Sequence, residues 1–214
     1  MPLTPVPAGM VATVVTSLEM RVRPKPRPMA AAPFRLSRWK APSPQKYRAL
    51  FRRVGQSWLW FSRLVMTDEE LTAIIHDDAV EVYAVEDRRG IEIGLLELDL
   101  RKAREVELGF LGLVPELAGQ GHGNWLLDQA LAIGWRSSIE RMWVHTCTLD
   151  HPGALRFYLR HGFVPFERAI ETFFDPRLAG ILPRDAAPTV RFEQVHFAYD
   201  TGKGGGVAGR PRSV

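Results

Sequence analysis

Residues 105–134 place a strand, a loop with three alternating glycines and a helix in direct succession, and this order constrains the fold more than any other stretch. The first six residues form an apolar-rich run of strand type, and apolar residues recur at helical spacing after the loop. Gly119, Gly121 and Gly123 lack Cβ atoms, so a ligand can approach the backbone there. Free N–H groups and the helix dipole meet at the start of the helix, and together they favour a phosphate ligand.

The spacing of the glycines excludes two common phosphate-binding loops. A P-loop requires a Lys directly after its last glycine, and none follows here. The dinucleotide fingerprint is Gly-x-Gly-x-x-Gly, whereas this loop reads Gly-x-Gly-x-Gly. A glycine-rich turn without a ligand is the alternative interpretation.

Residues 113–123 resemble the acetyl-CoA loop of the GNAT acetyltransferase superfamily, which reads Val-x-Pro-x-x-[Arg/Gln]-Gly-x-Gly-x-[Gly/Ala]. The chain has Leu-Val-Pro-Glu-Leu-Ala-Gly-Gln-Gly-His-Gly at these positions. Ala118 stands where the family usually has Arg or Gln, so the chain lacks the side chain that makes one phosphate contact in the family, while the backbone N–H groups remain.

A second stretch, residues 150–163, resembles the later family pattern Asn-x-x-Ala-x-x-x-Tyr-x-x-x-Gly-Phe. Ala154, Tyr158, Gly162 and Phe163 are in register with it, and His151 stands where Asn is usual. The two motifs occur in the family's order, and the resemblance covers residues 34–175.

The resemblance implies acetyl-CoA as the acyl donor and no metal. It implies cofactor contacts at Leu111, Leu113, Gly119, Gln120, Gly121, His122, Gly123, Asn124, His151 and Tyr158. His151 either replaces the usual Asn as a contact to the pantetheine arm or caps the helix that follows it.

The order of elements predicts an α+β or α/β fold of GNAT type, with a mixed, mostly antiparallel central sheet flanked by helices. The resemblance further implies that the central strand splays from its neighbour and leads into the glycine loop and helix. Strands are expected at residues 11–23, 34–39, 80–86, 92–100, 105–113, 142–147, 163–174 and 189–199, and the other helices at 44–55, 67–76 and 153–161.

We divide the chain into an N-terminal extension with one strand at 1–33, a GNAT-like acetyltransferase domain at 34–175, and two C-terminal regions. Residues 176–200 form an extension that could hold one strand, and the glycine-rich, basic residues 201–214 are expected to be disordered. Trp58, Trp60 and Phe61 fall between the first two helices, where they either line a ligand pocket or fill the core.

Acetyl transfer needs a group to take the proton of the amine and a donor for the leaving thiolate. Histone-type family members carry a glutamate base at a place that matches Glu107, and Glu105 is the alternative because its side chain has the same parity. His145 on the next strand, or a water relay, are further candidates. Each of these side chains also fits a purely structural role.

Family members use the tyrosine at the position of Tyr158 beside the thioester sulfur, where a phenol can donate a proton to a thiolate. The backbone N–H of Leu113 is the expected donor to the thioester carbonyl. Cys147 is expected to be a structural cysteine, because no His-plus-carboxylate spacing supports a thiol nucleophile.

The formal net charge of +4 gives weak support for an anionic partner, which CoA satisfies, and there is no dense basic helix to predict nucleic-acid binding. The single cysteine fits a reducing compartment and predicts a cytoplasmic location, and no apolar run is long enough to span a bilayer.

The leading hypothesis is an acetyl-CoA-dependent N-acyltransferase that moves an acetyl group to a primary amine by direct attack. A CoA-binding or protein-interaction module that has lost catalysis is the alternative. The sequence leaves open a homodimer, the identity of the acceptor and the length of the acyl group.

Overall fold

The computed structural model describes residues 3–25, 29 and 31–192. The strands are β1 Met10–Met20, β2 Arg35–Trp39, β3 Val80–Glu86, β4 Glu92–Asp99, β5 Glu105–Leu113, β6 Arg141–Cys147 and β7 Val164–Phe174. The helices are α1 Pro44–Gly55, α2 Asp68–Ile75, α3 His122–Gly134 and α4 Ala154–Arg160. The predicted mixed fold, with helices against a mostly antiparallel sheet, is confirmed.

The seven described strands form one sheet in the order β2-β3-β4-β5-β6-β1-β7. Consecutive pairing of β3, β4 and β5 confirms the predicted antiparallel meander. α3 then crosses over to β6, which pairs parallel to β5. The N-terminal strand β1 pairs antiparallel with both β6 and β7, so the sheet includes residues that we had assigned to an extension.

Most predicted bounds differ from the observed ones by a few residues at most. β1 ends at Met20, before the expected end at Arg23, and α4 is shorter by one residue at each end. Residues 189–192 lie in no strand, so the first part of the strand expected at 189–199 is wrong. The rest of that segment and residues 201–214 lie outside the described residues.

Local sequence signals account for where α1 and α2 begin. The Ser43 hydroxyl accepts a hydrogen bond from the Lys46 N–H, and Pro44 occupies the first turn, where its missing N–H has no consequence. Thr67 and Glu70 form a reciprocal capping box at the start of α2. The capping box at Thr67 therefore fixes the point where the connection that carries the aromatic residues ends.

The two faces of the sheet are covered by different helices. α1 packs on one face, where Tyr47 reaches Glu97 of β4 and Phe51 lies edge-on to Phe110 of β5. α3 packs on the other face beside Val106 of β5, and Gly134 allows it close approach, because a Cβ there would lie 2.6 Å from the methyl group of Met142 of β6. β5 is therefore a strand that α1 contacts on one face and α3 on the other.

Candidate active site

The strands β5 and β6 separate part-way along their length. They pair only from Glu105 opposite Arg141 to Glu107 opposite Trp143. Just beyond that point, the β4–β5 register skips Gly109, which leaves one extra residue in β5. A bulge of this kind bends and twists a strand, and it accounts for the divergence of β5 from β6. A splayed central strand was expected from the sequence.

The separation opens a cavity of about 510 Å³ between the two strands. The Val114 N–H donates to the Ile93 carbonyl on the β4 side at 2.9 Å. Because N–H groups alternate in direction along a strand, the N–H groups of Leu113 and Leu111 point away from β4 and into the cavity. Both residues line it, and their contact with acetyl-CoA stays a prediction.

The glycine loop lies at the edge of the same cavity, which Gly119, Gly121, Gly123 and Asn124 line. Gly119 and Gly121 have φ of +75° and +82°, and a Cβ on either would meet no atom within 4 Å. Among the described residues, the backbone N–H groups at 119–123 have no protein acceptor. The loop thus offers a row of free donors at the start of a helix.

The side chains of Gln120 and His122 do not line the cavity. Gln120 donates through Nε2 to the Glu116 carbonyl at 2.7 Å, and the His122 ring packs edge-on against Phe34 with ring centres 4.8 Å apart. Any contact from these two residues to a ligand in the loop would come from their backbone.

Tyr158 of α4 lines the cavity and is 7% exposed. Burial raises the pKa of its phenol well above the usual value, and the negative charge of Asp150 adds to the effect. The phenol therefore stays protonated across the neutral range and can act as a donor.

His151 lies just before α4 but does not cap its first turn, because no side chain among the described residues bonds the N–H groups there. Its Nδ1 accepts a hydrogen bond from the Gly153 N–H at 3.0 Å. The His151 ring also packs edge-on against Trp58, with ring centres 5.4 Å apart, and both residues line the cavity.

The three candidate bases lie on adjacent strands but in different surroundings. Nδ1 of His145 lies 3.6 Å from Oε1 of Glu107, and His145 lines the cavity. The Glu107 carboxylate raises the pKa of His145, against the opposing effect of burial. Glu105 instead contacts Arg141 at 3.0 Å and Lys102 at 3.1 Å, which lower its pKa although burial acts to raise it. Glu105 therefore forms ion pairs with two cationic side chains.

The aromatic residues between α1 and α2 fulfil both roles considered for them. Trp58, Trp60 and Phe61 line the cavity, and Leu59 beside them is buried. Trp60 packs over Gly112 of β5, where a Cβ would lie 3.1 Å from its ring. The segment therefore closes the cavity and also fills the space under α1.

Asp150, to which we assigned no role from the sequence, joins this segment to the end of β6. Its Oδ1 accepts from Trp60 Nε1 at 3.2 Å, and its Oδ2 accepts from the Thr146 hydroxyl at 2.8 Å and the Cys147 N–H at 2.9 Å. Trp60 and Asp150 are 90 positions apart, so no local sequence pattern indicates the contact.

A buried ion pair supports the floor of the site. Glu97 of β4 is fully buried and accepts from the Tyr47 hydroxyl and from Arg63 Nη2, each at 2.5 Å. The Arg63 guanidinium also lies 5.3 Å from the centre of the Phe110 ring. Burial, together with the Glu97 charge, raises the pKa of Tyr47 well above its usual value, so Tyr47 remains a donor.

Cys147 at the end of β6 lines the cavity and is half-buried. Burial raises the pKa of its thiol, so the thiolate fraction at neutral pH is small. This fits the structural role expected for it. No cluster of His, Cys, Asp or Glu suited to a metal ion occurs within residues 3–25, 29 and 31–192. None of the helices in those ranges is long and apolar enough to cross a membrane.

Residues 42–163, more than half of the chain, match the Acetyltransferase (GNAT) family. The chain belongs to the GNAT acetyltransferase family. This confirms the family that the glycine loop and the Tyr158 motif indicated.

The chain is 27% identical over 124 residues to the spermidine N(1)-acetyltransferase of Vibrio cholerae, a match that spans 54% of this chain and 69% of the relative. A GCN5-related N-acetyltransferase from Sphaerobacter thermophilus shares the fold with a TM-score of 0.59 and 13% identity, over 76% of this chain and 51% of that one. A chimera of Vibrio cholerae spermidine N-acetyltransferase SpeG with hSSAT has a TM-score of 0.52 and 22% identity, over 64% and 83% of the two chains. This GNAT chain thus spans about half of the Sphaerobacter protein and most of the spermidine enzymes.

Proposed function

We propose that the protein transfers an acetyl group from acetyl-CoA to a primary amine by direct attack of the amine on the thioester. The observation that carries this proposal is the cavity between β5 and β6, which extends from the free N–H groups of the glycine loop to His145. One continuous space therefore brings together an anion-binding loop, backbone donors and the titratable side chain of His145, which contacts Glu107 outside the cavity.

The loop fits the pyrophosphate of CoA. Its free backbone donors need no side chain, so the absence of Arg or Gln at Ala118 leaves the main contacts in place. The open space around Gly119 and Gly121 lets phosphate oxygens approach the backbone. The pantetheine arm would then extend between β5 and β6, past Leu111 and Leu113.

The reaction needs three groups from the protein: a donor to the thioester oxygen, a base for the amine and an acid for the thiolate. The inward N–H of Leu113 would donate to the thioester oxygen as it gains charge. Glu107 and His145 together would take the proton from the amine, and Tyr158 would donate a proton to the departing thiolate. No covalent acyl-enzyme is needed, which agrees with the raised pKa of Cys147.

The acceptor is a cation before it reacts, since a primary amine of lysine type has a pKa of about 10.4. Carboxylates at Glu107, Asp150 and Glu171 lie around His145 and would attract such a cation. The Vibrio cholerae relative makes spermidine the first acceptor to test.

The test is the release of free CoA thiol from acetyl-CoA with a panel of amines: spermidine, an arylalkylamine, an amino acid amide and a short peptide with a free N-terminus. We expect amine-dependent thiol release and an acetylated product whose mass is that of the amine plus one acetyl group. Saturable binding of acetyl-CoA with no amine-dependent release would identify the alternative, a CoA-binding module without catalysis.

A further inference from the structure

His145 and Glu107 face each other, but they open onto different spaces. His145 lies on β6 beyond the last residue that pairs with β5, and it lines the cavity together with Leu111 and Tyr158. Glu107 lies in the last paired position and lines a separate groove with Asp99, Lys102 and Trp143. His145 therefore has access to the space between the splayed strands, and Glu107 reaches it through His145.

The contact between the two side chains distinguishes the two imidazole nitrogens. Nδ1 of His145 is the nitrogen that faces Glu107, 3.6 Å from Oε1, which is within ion-pair distance but longer than a hydrogen bond. Because an ionised carboxylate accepts and does not donate, this arrangement favours the tautomer with the proton on Nδ1 and the lone pair on Nε2. The half-exposed imidazole thus keeps one nitrogen able to accept a proton, while the other faces the carboxylate.

We propose that His145 is the group that takes the proton of the acceptor amine, and that Glu107 is a positioning residue that orients the imidazole and stabilises its protonated form. This assignment rests on the proposed function and chooses between the two members of the pair. Imidazole is matched to this role at neutral pH, because its neutral and protonated forms are both populated there.

The acceptor first gives its ammonium proton to solvent. The lone pair of the resulting neutral amine nitrogen forms the C–N bond to the thioester carbonyl carbon, and the C–S bond breaks. The proton that leaves the nitrogen goes to Nε2 of His145. The CoA thiolate takes a proton from Tyr158, and solvent carries the proton from His145 back to Tyr158, so amine and acetyl-CoA become amide and free thiol.

The carboxylates around His145 all raise the pKa of its imidazole. Glu107 on β5, Asp150 after β6 and Glu171 on β7 each raise its pKa, and only burial lowers it. Arg141, the cation on the same face of β6, is paired with Glu19 and Glu105. The proton-accepting form of His145 should therefore be lost below a pH somewhat higher than the ordinary imidazole pKa of about 6.5.

The experiment measures kcat against pH for wild type, His145→Gln, Glu107→Gln, the double variant, and Glu140→Gln as a control that removes an exposed carboxylate lining neither cavity. A parallel NMR titration follows the His145 imidazole protons. In the wild type, kcat should fall on the acid side with the pKa that NMR gives for His145. His145→Gln should lower the plateau by about 10²–10⁴-fold and remove that acid limb.

Glu107→Gln should move the acid limb, and the NMR pKa of His145, to lower pH, with a smaller loss of plateau rate than His145→Gln causes. The double variant should be no slower than His145→Gln, because residues that act as one unit are not additive. Glu140→Gln should match the wild type in both measurements.

A His145→Gln enzyme with the wild-type plateau and acid limb would overturn the assignment while leaving acetyl transfer in place. Additive losses in the double variant would overturn it as well, because they would show that Glu107 acts independently. Wild-type protein that binds acetyl-CoA but acetylates no amine would instead overturn the proposed function itself.

Discussion

Replacing Glu97 with Gln should destabilise the protein strongly, although the change removes only a charge. The Arg63 side chain is 13% exposed and Glu97 is 1% exposed, so the guanidinium would remain buried without its counter-ion. Leaving one member of a buried ion pair unpaired typically lowers the free energy of unfolding by about 3–5 kcal/mol. For a domain of this size each kcal/mol corresponds to about 2–4 °C, so the melting temperature should fall by roughly 6–20 °C.

The matched control is Glu140→Gln, which removes a carboxylate that pairs with Arg104 at the surface. These two side chains are 60% and 67% exposed, and such pairs contribute about 1 kcal/mol or less. Urea unfolding followed by tryptophan fluorescence would compare both variants with the wild type at constant m value. Adding Arg63→Met to Glu97→Gln should recover part of the loss, since no buried charge would remain.

A Glu97→Gln variant no less stable than Glu140→Gln would refute this reasoning. It would mean that water or a local rearrangement solvates Arg63, and that the pair does not hold the segment over Phe110 in place.

Two further outcomes follow from the buried phenol and the C-terminal segment, and a third follows from composition. Tyr158→Phe should slow acetyl transfer by a factor that changes little from about pH 6 to 9.5, because burial keeps the phenol protonated there. The variant should bind acetyl-CoA with nearly unchanged affinity. Profiles of kcat against pH test the first result, and calorimetry tests the second. Arg177→Ala should lower the free energy of unfolding in urea by about 3–5 kcal/mol, because it leaves the buried Asp175 carboxylate without its counter-ion. It should also expose residues 181–190 to proteolysis, because the carbonyls of Ala186 and Val190 lose their hydrogen-bond donor. Deleting residues 201–214 should leave the melting temperature almost unchanged, because a glycine-rich, basic stretch has little apolar area to bury.

Local patterns predicted the elements of the fold well. The capping box at Thr67, the Ser43–Pro44 start of α1 and the glycine at position 162, with φ of +91°, each determine a helix end through contacts within a few residues. The glycine loop was predictable for the same reason, because the strand, loop and helix are contiguous in sequence.

Long-range pairing was not predictable in this way. β1 has the alternation of a strand, but nothing within it indicates that it lies between β6 and β7. The contacts of Asp150 with Trp60 and of Glu97 with Tyr47 and Arg63 join separate elements, and the bulge at Gly109 appears only in the register with β4. The candidate bases were recognised as residue types, but the geometry was needed to separate His145 from Glu105.

The most direct test of the central claim compares acetyl-CoA binding by wild type, Gly121→Asp and Gly90→Asp. Gly121 and Gly90 have nearly the same φ, +82° and +79°, and open space around them, so the two variants carry similar backbone strain, while only Gly121 lines the cavity. At about 100 times the dissociation constant, acetyl-CoA should stabilise the wild type and Gly90→Asp by roughly 2.7 kcal/mol. Gly121→Asp should gain nothing, because its carboxylate would face the pyrophosphate. A wild type without any thermal shift in millimolar acetyl-CoA, or a Gly121→Asp variant stabilised as much as Gly90→Asp, would contradict the account.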